Sequence, residues 1–385
     1  MAIYSNQSNI IKKVLFILDY PLSEWKGTQR AIFEFANYLH DLGFQVTLLE
    51  NSSKSGYGLN SDITVPFKNI SLSFNRFETT KILRNIIRME KPDVIYTANI
   101  INPFIPTFGV RTVFGMHSLN ASAIPFMKLS AKIKFYFAQI FLSVFSLIFW
   151  KRKAVMFHAE NTDQLNWVRK IYFNRFKASL VGLPVECIND RDSLKQNPKN
   201  EKFSILFFGA LDKERGFGFF LRVIDSINSN KNIADFQFVI VGNGTMKSFA
   251  QEAQQHYGNV KYIVRASEEE KNEIMIHSDL FVFPSWIENY SVTTVEAQLR
   301  GLPAIVLDYA PLRNIVENGK TGFLLDGINI VEKIVEKINF YYQIWNNNYE
   351  LYAQMRLNIS DQTTRLCKNR VLPDFYKMLL GFSLL

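Results

Sequence analysis

The 385-residue chain is 48% hydrophobic and 21% charged, a globular balance that excludes wholesale disorder, and its length suggests two domains. A formal net charge of +9 points to anionic partners: nucleic acid, anionic lipid or phosphorylated substrates. Cys187 and Cys367 are too few for a disulfide scaffold or a cysteine zinc site and are expected as free thiols in a reducing compartment, and the polar start MAIYSNQSNIIKK shows no secretory h-region.

Strand and helix patterns then alternate. VLFILD (14–19) is an apolar strand, and TQRAIFEFANYLHDLG is helical, with Ala31, Phe35, Leu39 and Leu42 on one face and Gly43 as its stop. FQVTLLE is the next strand, residues 51–62 read as a Ser/Gly/Asn-rich loop, and FETTKILRNIIRMEK reads as a helix. PDVIYTA and RTVFGM are buried strands, as are AVMFHAE and KASLVGL, with a helix over 162–173 between the last two. Such alternation predicts a parallel, doubly wound sheet.

From Val94 to Ala159 there is no Asp or Glu, whereas Arg111, Lys128, Lys132, Lys134, Lys151, Arg152 and Lys153 supply seven positive charges. Within this region the apolar run Phe135–Trp150 has 16 residues. As a helix it rises about 24 Å, short of a hydrocarbon core of about 30 Å, and basic clusters at both ends suit a span poorly. Gln139, Ser143 and Ser146 share one helical face. The segment is therefore a buried core helix with a solvated basic rim, or a helix in the plane of an anionic membrane with its lysines on head groups; a transmembrane span fits least well.

At 187–202, CINDRDSLKQNPKNEK, the hydrophobic pattern lapses and marks the domain boundary. Strands FSILFFG, FQFVIVG, VKYIV, DLFVFP, PAIVL and TGFLL follow, with helices over 217–229, 245–256, 267–277 and 292–300 among them, then mostly helical segments. Two such halves joined by one linker outline a two-domain α/β enzyme with its ligand in a cleft.

The stretch 279–308 carries the most chemistry. Its helix starts near Ser291, an N-cap residue type, and stops at Gly301 before Pro303. The free N–H groups of Asn289 to Thr293 and the helix dipole make a phosphate site at the carboxyl end of a strand. Glu288 and Glu296 bracket it, placed to hold hydroxyls on either flank of a pyrophosphate, unless both are simply solvated.

Pro284-Ser285-x-x-Glu288-x7-Glu296-Ala297, then Gly301-x-Pro303, Asp308 and Glu317-x-Gly319-x-Thr321-Gly322, resembles the E-x7-E signature of the retaining family 4 glycosyltransferases. Ala210-Leu211-x3-Arg215-Gly216 sits where that family has its G-R-L-x3-K-G loop, and Val241-Gly242-Asn243-Gly244 is similar to its V-G-x-G turn. Gly27-Thr28 resembles its N-domain glycine loop, and His117 a cleft-lining histidine.

The resemblance implies a GT-B fold, two Rossmann-like doubly wound domains facing across a cleft. These are an acceptor domain (1–186), a linker (187–202), a nucleotide-sugar domain (203–362) and a C-terminal helix (363–385) returning to the first. It implies that Glu296 binds the ribose hydroxyls and Glu288 those of the donor sugar. Backbone around Asn289, Tyr290, Ser291 and Val292 faces the diphosphate, which Arg215 neutralises. Gly27, Thr28, Lys213 and Gly242 lie close to the donor, backbone near Val264 and Arg265 meets the base, and His117 joins Glu288 and Arg215 in the catalytic set. Retention follows same-face attack, with the leaving phosphate taking the acceptor proton, no metal and no cofactor beyond the nucleotide-sugar co-substrate. This sequence departs from the family at Ala210, where the family has Arg, at Asn289-Tyr290-Ser291, where it has Gly-Phe-Gly, and at Val181-Gly182-Leu183-Pro184, where it has P-N-G-V.

Other chemistries find little support. There is no GxGxxG after the first strand, no GxxxxGK[ST], and no HxH or HExxH among His40, His117, His158, His256 and His277. Asp190-x-Asp192 suits a solvated turn better than a metal loop. The aromatics of the basic region form a continuous apolar run instead of a base-stacking surface, so nucleic acid is not expected as a partner. The expected protein is a glycosyltransferase on the cytoplasmic face of a membrane. It takes a nucleotide sugar donor and a lipid-linked or envelope glycan acceptor, and touches anionic lipid through Lys128–Lys153. The alternatives are a nucleotide-sugar epimerase or an inactive scaffold of the same fold.

Overall fold

The computed structural model describes residues 11–18, 27–51, 66–70, 76–98, 102–117, 129–187, 199–229 and 235–383. The expected loop beyond residue 51, Lys128 and the Asp190-x-Asp192 turn lie outside the described residues. The chain divides into two compact units, Met1–Pro184 with Lys368–Leu385, and Val185–Cys367.

The first unit is built on seven parallel strands: β1 (Lys13–Leu18), β2 (Gln45–Asn51), β3 (Phe67–Ile70), β4 (Val94–Ala98), β5 (Arg111–Gly115), β6 (Val155–Ala159) and β7 (Lys177–Leu180). Their order is β3-β2-β1-β4-β5-β6-β7, so the winding reverses between β1 and β4. Helices α1 (Gly27–Asp41), α2 (Arg76–Glu90), α3 (Leu129–Phe149) and α4 (Thr162–Ile171) connect them. Sheets covered on both faces need strands apolar throughout, and β1, β4 and β6 are buried along nearly their whole length. One core gathers Leu15, Ile17, Leu49, Leu83, Ile87 and Ile95, and a second Phe114, Trp150, Val155, Phe157, Val168 and Tyr172. Ala31, Phe35 and Leu39 of α1 are buried as the pattern requires, but Leu42 is half exposed because the helix ends at Asp41 and Gly43 (φ 88°) turns the chain away. β3, the four residues FKNI, carries no alternation that distinguishes it from a loop.

The second unit has strands β8 (Phe203–Phe208), β9 (Phe236–Val241), β10 (Val260–Ile263), β11 (Leu280–Phe283), β12 (Ala304–Leu307) and β13 (Gly322–Leu325), all parallel, in the order β10-β9-β8-β11-β12-β13. Its winding reverses between β8 and β11. The helices are α5 (Phe217–Asn228), α6 (Lys247–His256), α7 (Glu268–Ile276), α8 (Val292–Leu299), α9 (Ala310–Arg313), α10 (Ile330–Asn347) and α11 (Tyr349–Thr363). The last helix, α12 (Lys368–Ser383), belongs to the first unit, where Phe375 stacks on Phe35 at 3.9 Å between ring centres.

Two expectations are corrected. Cys187 and Cys367 are not free thiols: they form a disulfide, with Cα atoms 5.2 Å apart. A separation of 180 residues hides the pairing in sequence, but the second unit is entered and left at one place, where Val185 also bridges to Cys367. And α3 is not a buried core helix. Its weak polar stripe faces inward: Ser146 is buried, Ser143 Oγ donates to the Ile171 carbonyl at 2.9 Å, and Phe145 rests on the second core. The apolar face points outward, with Phe137 70% and Ile140 61% exposed, and Tyr136, Phe141, Val144, Ile148 and Phe149 exposed beside them. By length and composition α3 is also able to cross a membrane.

Candidate active site

In a doubly wound sheet the loops at the carboxyl ends of the strands flanking the winding reversal form the ligand crevice. In the second unit these are the loops after β8 and β11, with the loop after β9 packed beside the first, and glycine lets their backbones touch. A Cβ on Gly242 would lie 1.8 Å from the Gly209 carbonyl oxygen, and one on Gly216 (φ 75°) 2.1 Å from that of Pro284. Leu211 N–H donates to the Asn243 carbonyl at 3.0 Å, and the Asp212 carboxylate accepts from the backbone and hydroxyl of Thr245 at 2.8 and 2.7 Å. Those two bonds hold the Asp212 carboxyl below the usual carboxylate range. An open depression of about 470 Å³ is lined by Asp212, Asn243, Gly244, Thr245 and Lys247. Lys213, in the same loop, is exposed, as is Arg265 after β10.

The two glutamates are not solvated. Glu288 is 8% exposed and Glu296 6%. The Glu288 carboxylate accepts from the Arg215 guanidinium and from Ser285 Oγ (3.0 Å), while Arg215 Nη1 also donates to the Ile287 carbonyl at 2.7 Å. Burial raises the Glu288 carboxyl above its ordinary value, more than the neighbouring Arg215 lowers it. Glu296, on α8, accepts at Oε1 from the buried Lys271 ammonium at 2.7 Å. Arg300 Nη1 donates to the Glu296 carbonyl at 2.9 Å and its Nε to Asn272 Oδ1 at 2.8 Å.

Between the carboxylates lies the start of α8. Ser291 occupies the cap position in the left-handed region (φ 61°), yet its hydroxyl pairs with Thr294 Oγ1 at 2.7 Å and caps no backbone group. Leading N–H groups of a helix have no intrahelical acceptor, so with this cap turned aside they and the dipole are available to an anion. Asn289, Tyr290 and Val292 flank the same turn, with Tyr290 buried.

In the first unit, Gly27 opens α1 directly after the undescribed segment 19–26, and Thr28 follows it. His117, after β5, is buried with both ring nitrogens engaged: Nε2 lies 2.7 Å from the Tyr96 hydroxyl and Nδ1 meets the Glu160 carboxylate. Tyr96 also contacts His158 Nδ1 at 2.6 Å, and His158 Nε2 the Val181 carbonyl at 2.8 Å. A carbonyl only accepts, so His158 carries its proton on Nε2; burial drops its pKa to about 3 and keeps it neutral. Tyr96 therefore donates to His158, His117 Nε2–H donates to Tyr96, and a proton lies between His117 and Glu160. Lys132 and Lys134 lie in the first turns of α3, and Lys151, Arg152 and Lys153 follow its C-terminal end.

Sequence reasoning missed Lys271, Tyr96 and Glu160, and quoted Ser285 in the motif without giving it a role. Of the three, only Lys271 left a signal: it stands four residues before the buried Met275, on the buried face of α7. Among the described residues no group of three or more His, Cys, Asp or Glu side chains is able to hold a metal ion.

Residues 189–360 match the family model described as glycosyl transferases group 1. An uncharacterized 41.2 kDa protein in the cps region of Klebsiella pneumoniae is 28% identical over 162 residues, 42% of this chain and 43% of the relative, so the match spans under half of that protein. UDP-Gal:alpha-D-GlcNAc-diphosphoundecaprenol alpha-1,3-galactosyltransferase of Escherichia coli is 24% identical over 334 residues, 81% of this chain and 84% of that one. Among solved structures, Anabaena HepE in complex with UDP and glucose superposes with a TM-score of 0.68 and 14% identity, covering 96% of this chain and 100% of that chain.

Proposed function

Starting from residues 189–360 being a group 1 glycosyltransferase domain within a GT-B architecture, we propose that the protein moves a sugar, with retention of configuration, from a nucleoside diphosphate sugar to a lipid-linked or envelope glycan. The observation that carries this reading is the pair of buried carboxylates, Glu288 and Glu296, each held by a cation at one oxygen, on either side of an uncapped helix start. A nucleotide sugar presents hydroxyls, diphosphate and hydroxyls in that order, and these groups answer it in the same order.

In this reading Glu296 takes the ribose hydroxyls and Glu288 those of the sugar. The α8 N-terminus and Lys213 carry the charge that builds on the leaving diphosphate; preorganised charge of this kind is the largest single term in many enzymes. Arg215 serves Glu288 first, and its remaining donors face the phosphates. Gly242 lets the loop backbones close on the donor, and Asn289, Tyr290 and Val292 shape its pocket. The acceptor oxygen attacks from the face the diphosphate leaves, and the departing phosphate oxygen takes its proton. Neither metal nor further cofactor enters this scheme. Gly27 and Thr28 are assigned to the donor, Arg265 to its base, and His117 to the catalytic set.

The acceptor assignment draws on the E. coli relative, whose name specifies a diphosphoundecaprenol-linked acceptor, and on the cps region of the Klebsiella relative. It draws also on α3, whose outward apolar face between basic ends suits an in-plane contact with anionic lipid on the cytoplasmic side. Nucleotide diphosphates and a panel of UDP- and GDP-sugars, followed by thermal shift and slow donor hydrolysis, test the donor reading. Stabilisation by one donor, lost in Glu296→Ala, is the expected result; a donor bound and hydrolysed equally by both proteins overturns it. Release of an isomerised sugar without acceptor identifies an epimerase instead.

A further inference from the structure

We infer that Lys271 is a positioning residue for Glu296, and that the pair sets a preference for ribonucleoside over 2′-deoxyribonucleoside diphosphates. The inference rests on the reading in which Glu296 receives the donor ribose.

Lys271 is buried in the first turns of α7, where a lysine is costly unless its charge is met. Its ammonium meets two carboxylates: Glu268 Oε2 at 2.6 Å, from a side chain 65% exposed at the rim, and Glu296 Oε1 at 2.7 Å, inside. The same helix grips α8 a second time, through Asn272 Oδ1, which accepts from Arg300 Nε while Arg300 Nη1 donates to the Glu296 carbonyl. Side chain and backbone of Glu296 are thus both fixed from α7.

The consequence lies at the other carboxylate oxygen. Oε1 is taken by Lys271, and Oε2 accepts no hydrogen bond among the described residues. An ionised carboxylate oxygen accepts two hydrogen bonds and donates none. With one oxygen held and the rotation of the carboxylate stopped, Oε2 is left to accept both hydroxyls of a cis-diol. A 2′-deoxyribose supplies only one of them, and a buried charged acceptor left short of a donor is penalised far more than a neutral one. Without Lys271 the Glu296 side chain turns freely, no single oxygen is presented to the diol, and the distinction fades.

The test is calorimetric titration of the full-length protein with UDP, GDP and ADP and their 2′-deoxy counterparts. The wild type is expected to bind the best ribonucleotide about 10- to 100-fold more tightly than its 2′-deoxy form. In Lys271→Met the ratio falls toward one, and Lys271→Arg restores part of it. The double variant Lys271→Met/Glu296→Gln, which leaves no unpaired buried charge, supplies a folded comparison and also binds without discrimination. If Lys271→Met keeps the full ratio while Glu296→Gln loses it, the role of Lys271 is overturned and the ribose reading stands. If Glu296→Gln keeps the full ratio, the ribose reading itself is wrong.

Discussion

The guanidinium of Arg215, from the loop after β8, is closed on the carboxylate of Glu288, from the loop after β11, and the same nitrogen reaches the Ile287 carbonyl. The cation that the sequence assigns to the diphosphate is therefore already holding the carboxylate assigned to the sugar. Lys213, two residues earlier and exposed, is the less committed cation of that loop.

This relationship fixes a pH dependence. Burial raises the Glu288 carboxyl and Arg215 lowers it, so removing Arg215 raises it further. If ionised Glu288 is the form that binds the sugar, activity is present above that pKa and lost as pH falls through it. Arg215→Ala is expected to move the acid limb of kcat/KM to higher pH, while Lys213→Ala lowers kcat/KM about 10-fold or more without moving the limb. Identical pH profiles for wild type and Arg215→Ala would show that the pair does not tune Glu288.

Gly216 joins the loops after β8 and β11 where a Cβ would strike the Pro284 backbone, and its φ of 75° disfavours any other residue. Gly216→Ala is expected to cost about 1–3 kcal/mol and to weaken nucleotide binding about 10-fold, because the clash displaces the segment leading to Glu288. Gly258→Ala, with nothing within 4 Å of its Cβ, is the neutral control. Thermal melts and nucleotide titration of both variants check the contrast.

His158 gives the first unit an acid sensitivity. Its folded pKa of about 3 lies below the ordinary value near 6.5, so the unfolded chain binds the proton first and stability falls as pH drops below 6.5 toward 3. The contribution approaches about 1.4 kcal/mol per pH unit for one proton. Urea denaturation between pH 7 and 5 is expected to show a shallower slope in His158→Asn; equal slopes would mean that His158 is not held neutral.

The disulfide ties the two ends of the second unit together. Cys187→Ser is expected to lower that unit's stability by about 2–4 kcal/mol under oxidising conditions. Dithiothreitol should do the same to the wild type and nothing to the variant. Unchanged melting of the wild type on reduction would show that the bond contributes no stability.

The exposed face of α3 predicts partition to anionic vesicles. Lys151→Glu/Arg152→Glu/Lys153→Glu is expected to weaken binding at least 100-fold, at about 1 kcal/mol for each basic residue removed, and more as charge is reversed. Phe137→Ser/Ile140→Ser weakens it at high salt as well, where attraction between charges is screened. Flotation with and without phosphatidylserine separates the two terms, and unchanged partition of both variants would remove the membrane from the account.

Much of this protein was legible in one dimension, because the physics concerned is local. The apolar runs of β1, β4, β8 and β11 announce strands buried on both faces. Gly43 and Gly301 mark helix ends, and the spacing from Glu288 to Glu296 places two acids about a helix start whatever surrounds it. The sequence determined the alternation, the parallel sheets and the position of that start, since each depends on residues close together in the chain. Three features were decided only by tertiary structure. The partners of the two glutamates, Arg215 and Lys271, lie 73 and 25 residues away, and burial that turns them from solvated acids into charge-paired ones is a property of packing. Cys187 and Cys367 meet across 180 residues because of where the second unit begins and ends. And the side of α3 that faces out is set by which face the first unit accepts: the helical period gives a polar stripe and an apolar one, and only the seat against Ile171 and Phe104 shows that the polar stripe is the one turned inward.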